Sequence, residues 1–183
     1  MNKKIVVLNG SPRQNGNTAA LISAFTKGAV ETGNSVTAFH LDSMEINGCK
    51  GCFGGGINPD SPCVQKDDMD TIYTAYREAD IVVLASSLYY YHFSGQFLKA
   101  FNRLFAVAEC DENLCNPVKN CVLLMAADEE YPFDEVLYYY NGLMKRLGWK
   151  PLGQVLVGGV TDIGDMEGHP ALEDAQKLGV SLG

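Results

Sequence analysis

The sequence predicts a three-layer, doubly wound α/β fold formed by a single domain. Short apolar runs alternate with longer amphipathic segments along the whole chain. Each short run is apolar throughout, which is typical of parallel strands that helices cover on both faces. The 183 residues, of which 46% are hydrophobic and 20% charged, fit one ordinary domain. Because neither a repeat nor a linker divides them, we treat residues 1–183 as one domain.

Five short runs predict the strands of the sheet. The first is rich in β-branched residues and stops at Asn9-Gly10, and the clearest is ADIVVLA, which begins at Ala79. Such runs, bounded by turn residues, indicate buried strands. The predicted strands are Lys4–Leu8, Ser35–Leu41, Ala79–Ala85, Asn120–Ala126 and Pro151–Val157.

Five amphipathic segments predict the helices. In the first, Leu21, Ile22 and Phe25 recur at helical spacing, and Gly33 is a normal C-terminal stop. The last opens with Pro170, which the first turn of a helix tolerates. The predicted helices are Asn17–Thr32, Asp67–Arg77, Ser94–Val107, Phe133–Leu147 and Pro170–Gly179.

Composition argues against several partners and locations. The chain has 14 Lys and Arg against 22 Asp and Glu, a net charge of −8, and no basic cluster. Such a chain binds nucleic acid and anionic membranes poorly. The longest apolar run near the start, Ile5–Leu8, is too short for a membrane span or a signal segment. We expect a cytoplasmic protein whose six cysteines stay reduced, with no nucleic-acid or membrane partner.

The candidate site lies at one edge of the predicted sheet. In a doubly wound fold, ligands bind in the crevice beyond the carboxyl ends of the strands. Five loops reach this edge, and they cover residues 9–18, 42–66, 86–93, 127–132 and 158–169.

The loop at residues 9–18, NGSPRQNGNT, has the features of an anion site. It opens the first helix, where free amides and the helix dipole favour negative charge. Pro12 replaces a glycine of the dinucleotide fingerprint, and Asn17 replaces the lysine of the nucleoside-triphosphate loop, so one terminal phosphate fits better. The alternative is a simple turn with a helix cap. The candidate phosphate-binding residues are Ser11, Arg13, Asn15, Gly16, Asn17 and Thr18.

Four segments in the same order carry a resemblance to a known family. GSPRQNGNT at residues 10–18 resembles the FMN-phosphate loop of the flavodoxin-like NAD(P)H-dependent FMN reductases. ADIVVLASSLYYY at residues 79–91 is similar to the family's third strand and the turn beneath the flavin ring. The match continues through residues 94–103 and through GDMEGHP at residues 164–170, so it covers nearly the whole chain.

The resemblance implies a fold, a cofactor and partners. The fold would be flavodoxin-like, with five parallel strands in the order 2-1-3-4-5. The cofactor would be FMN, and NAD(P)H would be the co-substrate. The second partner would be a small electron acceptor, namely a quinone, a flavin, a nitro or azo compound, or a metal. The family also points to a homodimer. Because FMN carries the chemistry, no catalytic side chain is required.

The loop at residues 86–93 would hold the flavin ring. Tyrosines supply both a flat apolar wall and a polar handle. Alternation along the chain would keep Tyr89, Tyr90 and Tyr91 from all facing the ligand, so Tyr89 and Tyr90 are favoured. Ser87 stands where the family usually has proline. The candidate ring-binding residues are Ser87, Leu88, Tyr89 and Tyr90, with Ala127 and Asp128 at the ring edge.

The loop at residues 42–66, called the cysteine loop here, contains three thiols. Cys49 and Cys52 have the C-x₂-C spacing of a thiolate chelate, and Cys63 follows. Iron–sulfur flavoproteins resemble this loop but carry four cysteines, the third shortly after the second, where this chain has Gly54–Gly56. A cluster, a redox-active cysteine pair and a reduced, metal-free loop are the alternatives. We assign no metal ligand and expect flavin reduction without these thiols.

The leading prediction of function is an FMN-dependent NAD(P)H oxidoreductase. The first alternative is a non-catalytic electron carrier of the flavodoxin type, and the second is an iron–sulfur flavoprotein. The long cysteine loop and the extra C-terminal segment favour the enzyme over the carrier.

Overall fold

The computed structural model describes residues 2–183 and arranges them around one central sheet. The strands are β1 (Lys4–Asn9), β2 (Ser35–His40), β3 (Ile81–Tyr89), β4 (His92–Phe93), β5 (Asn120–Ala126) and β6 (Lys150–Val157). The α-helices are α1 (Asn17–Glu31), α2 (Met69–Glu78), α3 (Gly95–Arg103), α4 (Phe105–Ala108), α5 (Asp134–Leu147) and α6 (Pro170–Val180), and a 3₁₀ helix spans Leu41–Ser43.

Five of the strands form a parallel sheet in the order β2-β1-β3-β5-β6. Because β5 and β6 are the fourth and fifth parallel strands along the chain, this is the order 2-1-3-4-5, and the prediction is confirmed. The sixth strand, β4, has only two residues and pairs antiparallel with the end of β3. A strand this short leaves no periodic signal in the sequence, so it was not predicted.

Helices cover both faces of the sheet. Along β1, Ile5 and Val7 pack into one apolar cluster with residues of α1 and α6. Val6 and Leu8 point to the opposite face and pack with residues of α2, α3, α4 and α5. Both sets of side chains are buried, which explains why the strand sequences of β1, β3 and β5 are largely apolar. The edge strand β2 departs from the expectation of strands buried on both faces, since SVTAFH includes polar residues and none of its residues is buried. No helix among residues 2–183 is long and apolar enough to cross a membrane.

Most predicted boundaries lie within one or two residues of those observed, and two differ for physical reasons. β3 runs on to Tyr89 because its polar end stays in the ladder, with Ser87 opposite Ala126 on β5. The predicted helix over 94–107 is divided at Leu104, whose amide donates to the Phe101 carbonyl in a tighter turn (3.0 Å). Cys49 and the rest of the cysteine loop carry no regular element beyond Ser43.

Two glycines mark the closest approach of α1 and α6. A Cβ atom on Gly28 would overlap the backbone carbonyl of Gln176, and one on Gly179 would overlap the backbone carbonyl of Phe25. Because the obstacles are backbone atoms, they cannot swing away as a side chain would. The two helices therefore depend on glycine at both positions.

We expect Gly28→Ala to lower the free energy of unfolding by about 1–2 kcal/mol. Because the Cβ would overlap a backbone oxygen, we expect a cost in the upper part of the range of about 1–3 kcal/mol for overpacking. This cost outweighs the ~1 kcal/mol by which alanine is the better helix former. Gly142→Ala is the matched control, since this exposed position in α5 has no other heavy atom within 4 Å of an added Cβ. Urea unfolding should show that the control is stabilised. Equal stability of the two variants would contradict the close packing of α1 on α6.

Candidate functional site

A cavity of about 470 Å³ lies beyond the carboxyl ends of β1, β3 and β5. Its volume falls within the range of small-molecule sites. Four of the five predicted loops contribute to it. The lining residues are Ser11, Pro12, Arg13, Asn17, Thr18, Ser87, Leu88, Tyr89, Tyr90, Tyr91, Ala126, Ala127, Asp128, Glu129, Pro132, Val160 and Thr161.

The loop between β1 and α1 has a tightly fixed backbone. The Gly10 amide donates to the Ala85 carbonyl (2.8 Å), and Ser94 Oγ donates to the Gly10 carbonyl (2.6 Å). His40 Nε2 donates to the carbonyl of Ser11 (2.9 Å). An added Cβ on Gly10 would overlap Ser94 Oγ, so only glycine fits this crossing. The backbone of the loop at Gly10 is therefore in direct contact with β3 and with the start of α3.

The N-terminus of α1 is open to an anion. Gly16 caps the helix without a side-chain hydrogen bond, and the first turn holds no acidic residue. Asn17 and Thr18 are buried and line the cavity, yet their side chains form no hydrogen bond with any other residue of the described chain. Helix N-termini leave free amides and carry partial positive charge. Uncommitted donors and this charge together favour a bound anion at this end of the cavity.

Arg13 adds a full positive charge at the same end of the cavity. It is the one cation among the described lining residues, which also include Asp128 and Glu129. Its Nη1 donates to the Thr161 carbonyl (2.5 Å), while the guanidinium has further N–H groups for other partners. The Thr161 amide in turn donates to Asp165 Oδ2 (2.7 Å). The loop after β6 therefore holds Arg13 at the same end of the cavity as the start of α1.

An aromatic hairpin forms the opposite wall. Tyr90 and Tyr91 have φ values of 47° and 60°, and they connect β3 to β4, whose residue His92 pairs with Tyr89. Positive φ at both central residues is the geometry of a type I′ hairpin turn, which strains residues other than glycine. All three tyrosines line the cavity, because a turn does not alternate as a strand does. Tyr91 is therefore added to the predicted set.

Ser87 lies between the two walls. Its Oγ is buried and has no hydrogen-bond partner among residues 2–183. On the neighbouring strand, the Ala127 amide donates to the Val157 carbonyl (2.8 Å), which fixes the chain where it leaves β5. Asp128 follows and is exposed at the cavity edge, where its Oδ1 accepts from the Glu129 amide (3.0 Å). Leaving a buried hydroxyl such as that of Ser87 without a partner destabilises a protein by about 1–3 kcal/mol. A polar ligand group beside Ser87 Oγ would remove this penalty.

All but two of the predicted site residues line the cavity. Asn15 is exposed on the turn, and Gly16 donates its amide to the Arg13 carbonyl (3.3 Å). Seven lining residues were not predicted individually, although most of them lie in the loops that the sequence singled out. They are Pro12, Tyr91, Ala126, Glu129, Pro132, Val160 and Thr161.

The cysteine loop contributes no lining residue to this cavity. Cys49, Cys52 and Cys63 instead line a second, smaller cavity of about 100 Å³, together with Phe105 and Glu109. Within the described chain, no group of three or more His, Cys, Asp or Glu side chains is placed to hold a metal ion. None of the six cysteines forms a disulfide bond.

Sequence comparisons relate the chain to known flavoproteins. A family model described as NADPH-dependent FMN reductase matches residues 3–127. The chain is similar to an iron-sulfur flavoprotein of Archaeoglobus fulgidus, with 31% identity over 181 residues that cover 98% of this chain and 78% of the relative. It is also similar to an iron-sulfur flavoprotein of Methanosarcina thermophila, with 27% identity over 171 residues that cover 93% and 85% of the two chains.

Solved structures share the fold at low sequence identity. An NAD(P)H:quinone oxidoreductase from Methanothermobacter marburgensis aligns with a TM-score of 0.70 and 16% identity, covering 100% of this chain and 98% of that chain. An FMN-dependent NADH-azoreductase from Bacillus anthracis, in complex with FMN, aligns with a TM-score of 0.68 and 11% identity, covering 97% and 98%. A flavodoxin from the domain Archaea aligns with a TM-score of 0.58 and 14% identity over 97% of this chain and 94% of that chain. The flavodoxin-like fold is therefore confirmed.

The description of the family model that matches residues 3–127 names FMN and NADPH, the cofactor and co-substrate that the sequence resemblance implies. Its match spans well over half of the 183 residues. The chain belongs to the NADPH-dependent FMN reductase family.

Proposed function

We propose that the protein binds FMN in the large cavity and acts as an NAD(P)H-dependent oxidoreductase. The observation that supports this proposal most strongly is that the two ends of the cavity have different chemistry. One end is an anion site at the start of α1, and the other is the aromatic hairpin at residues 89–91. FMN has the matching parts, a terminal phosphate and a flat aromatic ring.

The phosphate end would be held by charge and by uncommitted donors. Arg13 supplies a cation, and Ser11, Asn17 and Thr18 supply polar side chains beside the first amides of α1. Asn15 and Gly16 lie outside the lining, and we propose that they act through the shape of the turn. With no glycine at Pro12 and no lysine at Asn17, a single phosphate monoester suits this end best.

The ring end would be shaped by Leu88, Tyr89 and Tyr90, with Ala127 and Asp128 at its edge. The unpaired Oγ of Ser87 would gain a hydrogen bond from a polar atom of the ligand. When bound, FMN would accept a hydride from the nicotinamide and pass the electrons to a second acceptor. The chain itself orients the ring and keeps water from one face, so we assign no catalytic side chain.

The acceptor class that we propose is a small molecule. The structural neighbours include enzymes named for quinones and for azo compounds, which supports these two among the quinone, flavin, nitro, azo and metal acceptors that the sequence resemblance implies. The cavity is open at the hairpin, where the Tyr90 side chain is 99% exposed. A nicotinamide and an acceptor could therefore occupy the same position in turn.

We also propose that residues 1–183 act as one domain, in the cytoplasm, as a homodimer. Tyr90, Tyr131 and Tyr138 are 99%, 90% and 86% exposed. Tyr90 lines the cavity, Tyr131 precedes the lining residue Pro132, and Tyr138 lies on α5. A contiguous exposed apolar patch marks an association surface, and we propose that these tyrosines contribute to one. Light scattering at micromolar concentration should give twice the chain mass of 19.9 kDa. A value equal to the chain mass would contradict the dimer.

The decisive experiment is a visible spectrum of the FMN-loaded protein before and after anaerobic addition of NADPH or NADH. We expect the flavin absorbance to bleach within one turnover and to return when a quinone is added. A flavodoxin-type carrier would bind FMN but would not be reduced by either nucleotide. FMN binding without bleaching would therefore contradict the enzyme and favour the carrier.

Two substitutions test the phosphate end separately. We expect Arg13→Ala or Asn17→Ala to weaken FMN binding by about 10- to 100-fold, because a hydrogen bond to a charged group contributes about 1.5–3 kcal/mol. Arg146→Ala and Asn141→Ala are matched controls on α5, outside the cavity. Titration of the apoprotein by flavin fluorescence measures all four. Unchanged affinity in both test variants would refute the phosphate assignment.

A further inference from the structure

The cysteine loop is held rigidly at both ends by one buried side chain. Arg103 is 1% exposed and forms an ion pair with Asp67 (2.7 Å). Its Nη1 also donates to the Asn47 carbonyl (2.8 Å), and its Nη2 donates to the Gln65 carbonyl (3.4 Å). Asn47 and Gln65 lie on either side of the three thiols, so the guanidinium ties the start of the loop to its end.

The charges in this anchor are strongly coupled. Burial by itself would raise the pKa of Asp67, but the hydrogen bonds from Arg103 and from the amides of Asn47 and Met69 outweigh burial and lower the pKa of the carboxyl. Asp67 therefore stays ionised at neutral pH, and the ion pair persists. The ion pair therefore holds the two ends of the loop together.

The place of a third cluster cysteine can be located in this loop. The relatives are named iron-sulfur flavoproteins, and cysteine-ligated clusters commonly use a C-x₂-C-x₂-C run. Cys49 and Cys52 match the first two positions of such a run, and the third position is Gly55. The third thiolate of a cluster would have to occupy the space beside Gly55.

That space is filled by Glu109, the residue directly after α4, and by the backbone carbonyl of Pro62. A Cβ atom on Gly55 would overlap the carboxylate of Glu109 and would lie 2.9 Å from the carbonyl oxygen of Pro62. The neighbouring Gly56 has a φ of +80° and donates its amide to the same Pro62 carbonyl (2.9 Å). A Cβ atom on Gly56 would overlap the backbone of Glu109. The glycines let the end of α4 sit against the loop.

The three thiols that remain do not form a ligand set around one centre. Cys49 Sγ accepts from the Gly51 amide (3.4 Å), which turns it back on its own loop. Glu109, a carboxylate, lines the small cavity with the three thiols, but the described residues include no group of three or more such side chains placed around a metal. The residues present do not fit a cluster with four thiolate ligands.

We infer that this chain departs from its iron–sulfur relatives through the pair Gly55 and Glu109, which fills the place of the third thiolate and leaves the protein without a cluster. The glycine removes the ligand, and the carboxylate takes its space. Electrons would then pass between bound nicotinamide, flavin and acceptor with no iron–sulfur centre in the chain. The inference concerns the cysteine loop alone, so it stands or falls independently of the proposed FMN function.

The test is the iron content after anaerobic reconstitution with iron and sulfide. We expect wild-type protein to retain far less than one iron per chain. Gly55→Cys/Glu109→Ala supplies a fourth thiol and removes the Glu109 carboxylate from its space, so that only the 2.9 Å contact with the Pro62 carbonyl has to relax. We expect this variant to take up ~4 iron atoms per chain, the content of a cubane cluster. Gly48→Cys/Glu109→Ala is the control, because it adds a thiol to the same loop at an open position away from Glu109.

Each outcome decides a part of the inference. Wild-type protein that binds ~4 iron atoms per chain, the content of a cubane cluster, with broad absorbance beyond the flavin bands, would overturn it. A Gly55→Cys/Glu109→Ala variant that folds, as judged by circular dichroism, but stays iron-free would overturn the assignment to this pair. Equal iron uptake by the Gly48→Cys/Glu109→Ala control would also overturn the assignment to Gly55 and Glu109, because it would show that a fourth thiol at another position is sufficient. FMN content, measured on the same samples, reports separately on the large cavity.

Discussion

The crossing of the β1–α1 loop over the carboxyl end of β3 is the constraint on which the rest of the site depends. Gly10 lies at this crossing, bound through its amide to Ala85 and through its carbonyl to Ser94. No side chain fits there, because the space belongs to Ser94 and Phe97 at the start of α3. The crossing sets where α1 begins, and the start of α1 is the proposed anion site. It also joins α3 to the hairpin, since Ser94 follows β4 directly.

Two features of the sheet bring the ends of the cavity together. β1 lies between β2 and β3 in the sheet. The chain passes from β1 to β2 on one side and then crosses to β3 on the other side, and a crevice opens at the point where the strand order reverses. β3 then extends beyond its buried part to Tyr89 and turns back through the strained Tyr90 and Tyr91. The distance from the start of α1 to this hairpin is set by backbone geometry. A ligand with a phosphate and a flat ring would meet a site that is already formed.

The sequence predicts the sheet well, because parallel strands buried on both faces give long apolar runs such as ADIVVLA and NCVLLMA. It also indicates an anion-binding loop at residues 9–18, because a helix start rich in Ser, Asn and Arg that directly follows a buried strand is typical of an anion site; this assignment stays a prediction. It does not predict Tyr91 in the cavity, since a two-residue turn between tyrosines lacks the usual Asn-Gly signal. The contact between Gly55 and Glu109 joins residues far apart in the chain, and no local pattern reports it.

The central claim is that the start of α1 recognises a phosphate monoester, and the most direct test compares FMN with riboflavin, which has the same ring but no phosphate. The account predicts that riboflavin binds the apoprotein at least about 100-fold more weakly, because several charge-assisted hydrogen bonds of about 1.5–3 kcal/mol are lost together. Equal dissociation constants for FMN and riboflavin, measured by fluorescence titration under the same conditions, would contradict it.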